Sequence, residues 1–126
     1  MTVRALLRMG DPLLRQAAQP VIDCQAPHLV ELVADLQDTM AAHSGAGLAA
    51  PQIGVPLRVV IFGGDGPNLR YPDAPPLPFT LLINPELMPL GGERALGWEG
   101  CRSVAGRRGE VKRWNRLRYC GWTPEG

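Results

Sequence analysis

A cysteine between small and polar residues is the first candidate for chemistry in this chain. The segment "GWEGCRSV" (97–104) places Cys101 directly after Gly100 and two residues after Glu99, and Ser103 follows two residues later. Because glycine lets the backbone come close to whatever the next side chain touches, we expect Cys101 to be presented to a partner rather than packed. The other members of its site must come from elsewhere in the chain.

The segment "GAGLAAPQIG" (45–54) is the second candidate. Its first six residues match the dinucleotide fingerprint G-x-G-x-x-A, which has meaning only after a strand and before a helix. Here the pattern follows the strongest helix signal of the chain and runs into Pro51. We therefore predict a helix end and a tight bend instead of a nucleotide loop, an interpretation that leaves the polar Gln52 unexplained.

Short elements must position these residues. A helix is predicted from about Pro27 to His43, because apolar residues repeat at helical spacing on one face and Gly45 suits the position just past its end. The repeating residues are Leu29, Val33, Leu36 and Met40. Strands are predicted for "LRVVIF" (57–62), for "FTLLIN" (79–84, ended by Pro85) and for the half-buried "RLRYCGW" (116–122), with a surface loop over 63–78.

The composition is that of one globular domain spanning residues 1–126, with 45% hydrophobic and 20% charged residues. A net charge of +1 gives no global reason to expect nucleic acid or a membrane as partner. The three cysteines, an odd number, argue against a disulfide framework. The sequence shows no signal peptide and no apolar run long enough to span a bilayer, which favours a soluble cytoplasmic protein with reduced thiols.

Together, the two candidate segments resemble the first and second signature motifs of peptide deformylases. "GDPLLRQAAQPV" near the start, "INP" (83–85) and "RGEVKRWNRLRYCGWTPEG" (108–126) are also similar to this family, so the resemblance covers nearly the whole chain in order. It implies an α+β fold of short antiparallel strands with one N-terminal helix. It also implies a metal-dependent hydrolase that removes the N-formyl group from the starting methionine of new polypeptides.

The resemblance assigns roles to individual residues. Iron(II) is the usual metal, replaceable by zinc, nickel or cobalt, and its ligands are the Cys101 thiolate and two histidines of a third motif, H-E-x-x-H. Gln52 and the backbone N–H of Arg102 are the implied oxyanion donors. Because Gln52 and Cys101 must reach one reaction centre, we expect them to face the same cleft. The implied substrate contacts are Ala46, Gly47, Leu48 and Glu99: the first three line the channel, Gly47 lets the peptide backbone pair alongside, and Glu99 lies near the methionine pocket. Ser103 is interpreted as local support, and the implied partners are N-formyl-methionyl peptides and ribosome-associated nascent chains, with no DNA or membrane.

The chain also departs from the family pattern. Its only histidines are His28 and His43, at the two ends of the predicted helix, and neither lies in H-E-x-x-H. A catalytic metal site needs about three protein ligands and an open position. We therefore expect a deformylase domain that is truncated at its C-terminus, lacks the central metal-binding helix, and is inactive and poorly stable as written. Arg102 and Arg107, where the family usually has uncharged residues, suggest relaxed constraint.

Two classes of function stay open from the sequence. The first is an incomplete deformylase, and the second is a non-catalytic remnant that binds a formyl-methionyl peptide or a partner through an open face. A metal-free cysteine hydrolase using Cys101 is disfavoured because no motif places a histidine base beside it. The basic run between residues 102 and 118 could contact ribosomal RNA, but the solvated faces of strands are the favoured interpretation.

Overall fold

The computed structural model describes residues 2–43, 45–64, 77–101, 103 and 108–123. The helices are α1 (Pro12–Arg15), α2 (Pro27–Ala42) and a 3₁₀ helix (Ala50–Ile53), and the strands are β1 (Gly47–Ala49), β2 (Val59–Phe62), β3 (Thr80–Pro89), β4 (Arg94–Gly100), β5 (Arg108–Trp114) and β6 (Leu117–Trp122). All strand pairs are antiparallel, in a four-stranded sheet of order β1-β2-β3-β6 and a two-stranded sheet of β4 and β5. The α+β class with one long helix near the N-terminus is thus confirmed. Most of the predicted loop, over 65–76, lies outside the described residues.

Helix α2 forms where the apolar spacing predicts it and ends one residue before His43. Pro27 occupies the first turn, where a missing N–H costs nothing. Leu29 and Leu36 are buried as expected, whereas Val33 and Met40 are only partly buried. Leu32 and Thr39 complete the buried face, and this face packs on the sheet through the core that Leu48, Ile61 and Ile83 share.

The predicted helix end and bend lie before Gly47, and residues 47–49 then form the short strand β1, which was not predicted. Gly47 pairs opposite Phe62 at the start of this strand. A Cβ on Gly47 would lie 3.2 Å from the Ile61 carbonyl oxygen, closer than side chains normally approach. Glycine at this position therefore lets β1 lie against β2, and the chain then turns through the 3₁₀ helix that carries Gln52.

Pro85 does not end the third strand, which continues to Pro89. The register between β3 and β6 shifts between Ile83 and Glu86, and Asn84 there has a φ of 52°. The Asn84 carboxamide accepts from the Val21 N–H at 2.8 Å and donates to the Val21 carbonyl at 2.9 Å. Because the irregularity already interrupts the ladder, a proline without an N–H is tolerated within it.

Strand β6 forms over Leu117–Trp122, but the prediction that it is half-buried is wrong. All six of its residues are exposed, and the Leu117 and Tyr119 side chains keep 42% and 46% of their accessible surface. Tyr119 makes one edge contact with the Phe62 ring, at 5.8 Å between centroids. The alternation of apolar and basic residues is present, but the described residues do not cover its apolar face.

Candidate active site

The two signature segments meet in the structure. The Gln52 Nε2 atom donates to the Cys101 Sγ atom at 3.3 Å, although 49 residues separate them in the chain. Gln52 comes from the 3₁₀ helix, whereas Cys101 follows the last residue of β4. Cys101 is exposed and Gln52 is partly buried, so both groups reach a surface open to a substrate. The contact confirms that the two side chains come together, as expected.

Three hydrogen bonds hold the Gln52 carboxamide. Its Oε1 atom accepts from the Ala49 backbone N–H at 3.0 Å, and its Nε2 atom donates to the Ser103 Oγ atom at 3.2 Å as well as to Cys101. Ser103 is buried, with 6% of its surface exposed, so its hydroxyl sits in a fixed environment. The side chain that would donate to a reacting oxygen is therefore already oriented.

The N-terminal segment joins the two signature segments through its backbone. The Leu7 N–H donates to the Gln52 carbonyl at 2.8 Å, and the Met9 N–H donates to the Ser103 carbonyl at 2.9 Å. Residues two apart in an extended chain point their N–H groups to the same side, which explains how one segment reaches both. Sequence reasoning missed these contacts because backbone donors carry no residue-type signal.

Strand β1 lies at an edge of its sheet, so one side of it is unpaired among the described residues. The Ala46 carbonyl accepts from the Gly63 N–H on the β2 side. Because polar backbone groups alternate in direction along a strand, those of Gly47 point away from β2, toward the open edge. Leu48 behaves differently, since its side chain is 96% buried, with only 4% exposed, and packs in the core. Its contribution to a substrate channel would come from its backbone.

Glu99 is hydrogen-bonded to a residue of the neighbouring strand. Its carboxylate accepts two hydrogen bonds from Arg113, at 2.8 Å and 2.9 Å, across the β4–β5 hairpin. The hydrogen bonds from Arg113 hold the pKa of Glu99 below its usual range, with the positive charge of the guanidinium adding to the effect. Glu99 is therefore an ionised side chain with a partner, at the end of the strand that leads to Cys101.

The predicted ligand set for a metal is met only in part. Cys101 supplies a soft sulfur donor of the type that transition metals bind. Within the described ranges, no three His, Cys, Asp or Glu side chains come together. His28 and His43 are exposed, one at each end of α2. The described residues therefore do not fit a metal centre by themselves, and Arg102, the predicted backbone oxyanion donor, lies outside them.

No helix in the described part of the chain combines the length and the apolar character that a membrane crossing needs.

Comparison with known proteins extends the match beyond these two segments. The family model for polypeptide deformylase matches residues 3–126. Peptide deformylase 1 of Prochlorococcus marinus is 57% identical over 126 residues, which are all of this chain and 66% of that protein. Peptide deformylase 2 of Ralstonia nicotianae is 56% identical over 124 residues, covering 98% of this chain and 70% of that protein.

The solved structures agree with this match. A Met-Ala-Ser-bound class I type b peptide deformylase from Acinetobacter baumannii superposes with a TM-score of 0.91 at 35% identity, over 99% of this chain and 79% of that one. The deformylase of Thermotoga maritima gives a TM-score of 0.84 at 28% identity. The chain spans about two thirds of the length of the two curated relatives above. The match covers residues 3–126 and is supported by close relatives and solved structures, so this chain belongs to the polypeptide deformylase family, which is metal-dependent.

Proposed function

We propose that these residues form the substrate-facing part of a peptide deformylase, which hydrolyses the N-formyl group of formyl-methionyl peptides on nascent chains. The observation that carries the proposal is the contact of Gln52 Nε2 with Cys101 Sγ at 3.3 Å. It brings a hydrogen-bond donor and a thiol ligand to one point on the surface. Both are needed at the same reacting carbonyl, since one binds the developing charge and the other holds the metal.

Each residue has a distinct task in this proposal. Gln52 donates an N–H to the formyl oxygen as negative charge develops there, and the Arg102 backbone N–H is the second donor. The open edge of β1 pairs with the peptide backbone at Gly47, which sets the distance between the formyl group and Gln52. Ala46 and Glu99 flank this path, and Glu99 stays ionised through Arg113.

Cys101 would hold the metal as its thiolate, together with the two histidines of an H-E-x-x-H helix. Iron(II) is the proposed physiological ion, with zinc, nickel or cobalt as substitutes, and a bound ion would polarise the carbonyl and lower the pKa of a water. One thiolate cannot define such a centre. The 126 residues alone are therefore expected to release no formate.

The substrate class is supported by a structural neighbour. The Acinetobacter baumannii deformylase with a TM-score of 0.91 was solved with Met-Ala-Ser bound. A peptide of this kind is what remains once a formyl group has been removed. By similarity, a formylated Met-Ala-Ser peptide is the natural first substrate to test for this chain.

The test compares the 126-residue chain with the same chain extended after Gly126 by the C-terminal segment of a close relative that carries H-E-x-x-H. We expect formate release from formyl-Met-Ala-Ser and about one bound metal ion per chain only in the extended protein. Cys101→Ala should abolish both, and Cys120→Ala is the matched control because that cysteine is also exposed. An extended protein that folds and binds metal but releases no formate would contradict the proposal.

Peptide binding without catalysis is the second candidate, and the unpaired edge of β1 favours it. An extended strand can add to such an edge by main-chain hydrogen bonds alone. The 126-residue chain would then bind formyl-Met-Ala-Ser with no metal added. Shifts of the Gly47 and Gln52 amide signals on titration with the peptide would support this candidate, and unchanged signals at millimolar peptide would exclude it.

A further inference from the structure

The Gln52 carboxamide has only one orientation that suits its neighbours. The Ala49 N–H points at one end of the amide at 3.0 Å, so that end must be the accepting oxygen. A flipped amide would place its NH₂ group against this N–H, leaving two donors facing each other. The Nε2 atom therefore faces Cys101 and Ser103.

An amide nitrogen has two protons, and here each has an acceptor. One proton is directed to the Ser103 Oγ atom at 3.2 Å and the other to the Cys101 Sγ atom at 3.3 Å. Without an acceptor at residue 103, the Ala49 bond would still hold the oxygen, but the plane of the amide could tilt about that bond and turn its protons away from the thiol. The serine hydroxyl removes that freedom, which leaves the second proton aimed at the thiol side of the cleft.

Ser103 is itself well placed to act as a fixed acceptor. Only 6% of its surface is exposed, and its backbone carbonyl accepts from the Met9 N–H at 2.9 Å. Burial removes competing water from the hydroxyl, and the backbone contact limits the movement of the residue. A buried polar group with these partners is expected to hold one geometry.

We propose that Ser103 is a positioning residue of the deformylase site, which orients the Gln52 carboxamide for donation to the reacting oxygen. This inference rests on the function proposed above and adds a residue that acts through Gln52. Its prediction is specific: loss of the Ser103 hydroxyl matters only while Gln52 is present. A serine that merely supported the fold would have the same effect with or without the glutamine.

The experiment is a double-mutant cycle in the chain extended with the H-E-x-x-H segment, using Ser103→Ala, Gln52→Ala and the double variant. Gln52→Ala should lower kcat by about 10²-fold to 10³-fold, the usual cost of losing an oxyanion donor. Ser103→Ala should lower kcat by about 10-fold with KM changed by less than about 2-fold, because a displaced donor weakens the transition state more than peptide binding. In the Gln52→Ala background, the same serine change should alter kcat by less than about 2-fold.

A second readout needs no activity. The two side-chain NH₂ protons of Gln52 should give separate NMR signals that differ from free glutamine, and Ser103→Ala should move them toward the free values while the backbone signals of β2 stay in place. Equal losses of kcat in both backgrounds, or unmoved Gln52 signals, would overturn the positioning role. If the extended protein releases no formate at all, the proposed function fails, and the NMR signals alone decide the role of Ser103.

Discussion

The two halves of the molecule differ in how they bury apolar side chains. Every buried apolar residue among those described lies between Val21 and Ile83, in the segment that leads into α2, in α2, β1, the 3₁₀ helix, β2 or the first half of β3. From residue 86 onward, only Ser103 is buried among the described residues, while large apolar side chains face solvent. These are Leu87, Met88, Leu96, Trp98, Leu117, Tyr119 and Trp122. One half has its own core, whereas the other is held mainly by strand pairing.

The difference matters because the candidate site draws on both halves. Gln52 belongs to the half with the core, and Cys101 follows a strand of the β4–β5 hairpin. A two-stranded hairpin is marginally stable by itself in water. The contacts from Leu7 and Met9 to the two signature segments therefore tie the weaker half to the stronger one. We expect mutations to have unequal effects in the two halves.

The largest contrast should come from matched leucine truncations. Leu36 is fully buried under the sheet, whereas Leu96 in β4 keeps 58% of its surface. Leu36→Ala should cost about 2–5 kcal/mol of unfolding free energy, since it leaves a cavity, and Leu96→Ala should change it by less than about 0.5 kcal/mol. Denaturant unfolding of both variants measures this. Similar losses would break the distinction between the halves.

The next largest effect should follow from removing one of the contacts that join the two halves, the bond from Met9 to Ser103. Met9→Pro deletes the N–H that donates to Ser103, and proline suits the second position of the turn that the Asp11 N–H closes on the Arg8 carbonyl. Loss of the donor should cost about 1–3 kcal/mol. Met9→Ala is the control, because it keeps the N–H and trims a side chain that is 66% exposed. If both variants unfold at the same denaturant concentration, this bond contributes nothing measurable.

A smaller effect, with a defined pH dependence, is expected at Asp35. The Thr2 N–H donates to this carboxylate at 2.7 Å and Arg4 at 3.0 Å, and these bonds hold the pKa of Asp35 below its ordinary value of 3.8. Its stabilising contribution is therefore present above that unfolded value and is lost as the pH falls through the lower folded pKa. The difference in unfolding midpoint between the natural chain and Asp35→Asn should be constant above about pH 5 and should decrease in stronger acid. A difference in unfolding midpoint that stays unchanged down to strong acid would contradict this role of the Asp35 carboxylate.

The smallest effect is expected for the similar ion pair in the weaker half. The Arg113–Glu99 pair has side-chain exposures of 68% and 38%, compared with 41% and 12% for Arg4 and Asp35. Exposed pairs contribute about 0–1 kcal/mol even with good geometry. Arg113→Ala should therefore shift the unfolding midpoint less than Asp35→Asn does at pH 7. A larger shift for Arg113→Ala would show that the hairpin depends on this pair.

The sequence was sufficient to predict the elements whose signals lie within one short segment of the chain. The spacing of Leu29 and Leu36 predicted α2, and the resemblance to a family predicted that Gln52 and Cys101 meet. The end of β3 could not be predicted from Pro85 alone, because the Asn84 side chain bonds Val21 from a distant segment. The backbone contacts of Leu7 and Met9 could not be predicted either, because a backbone N–H is the same in both residue types.

The exposure of β6 shows a second limit. Alternating residues in "RLRYCGW" have the period of a half-buried strand, and a strand does form there. Burial depends on whether another element packs on the apolar face, which a period of two cannot reveal. The pattern therefore predicted the strand correctly and its burial wrongly.

Hydrogen exchange of the 126-residue chain tests most directly whether the site joins a half with a core to a half without one. Amides of α2 and β2 should exchange slowest, near the rate of global unfolding, and amides of β4 and β5 should exchange at least about 10-fold faster through local opening. Uniformly slow exchange in all four elements would contradict the division of the molecule. Uniformly fast exchange would show that the core of α2 and β2 does not hold by itself.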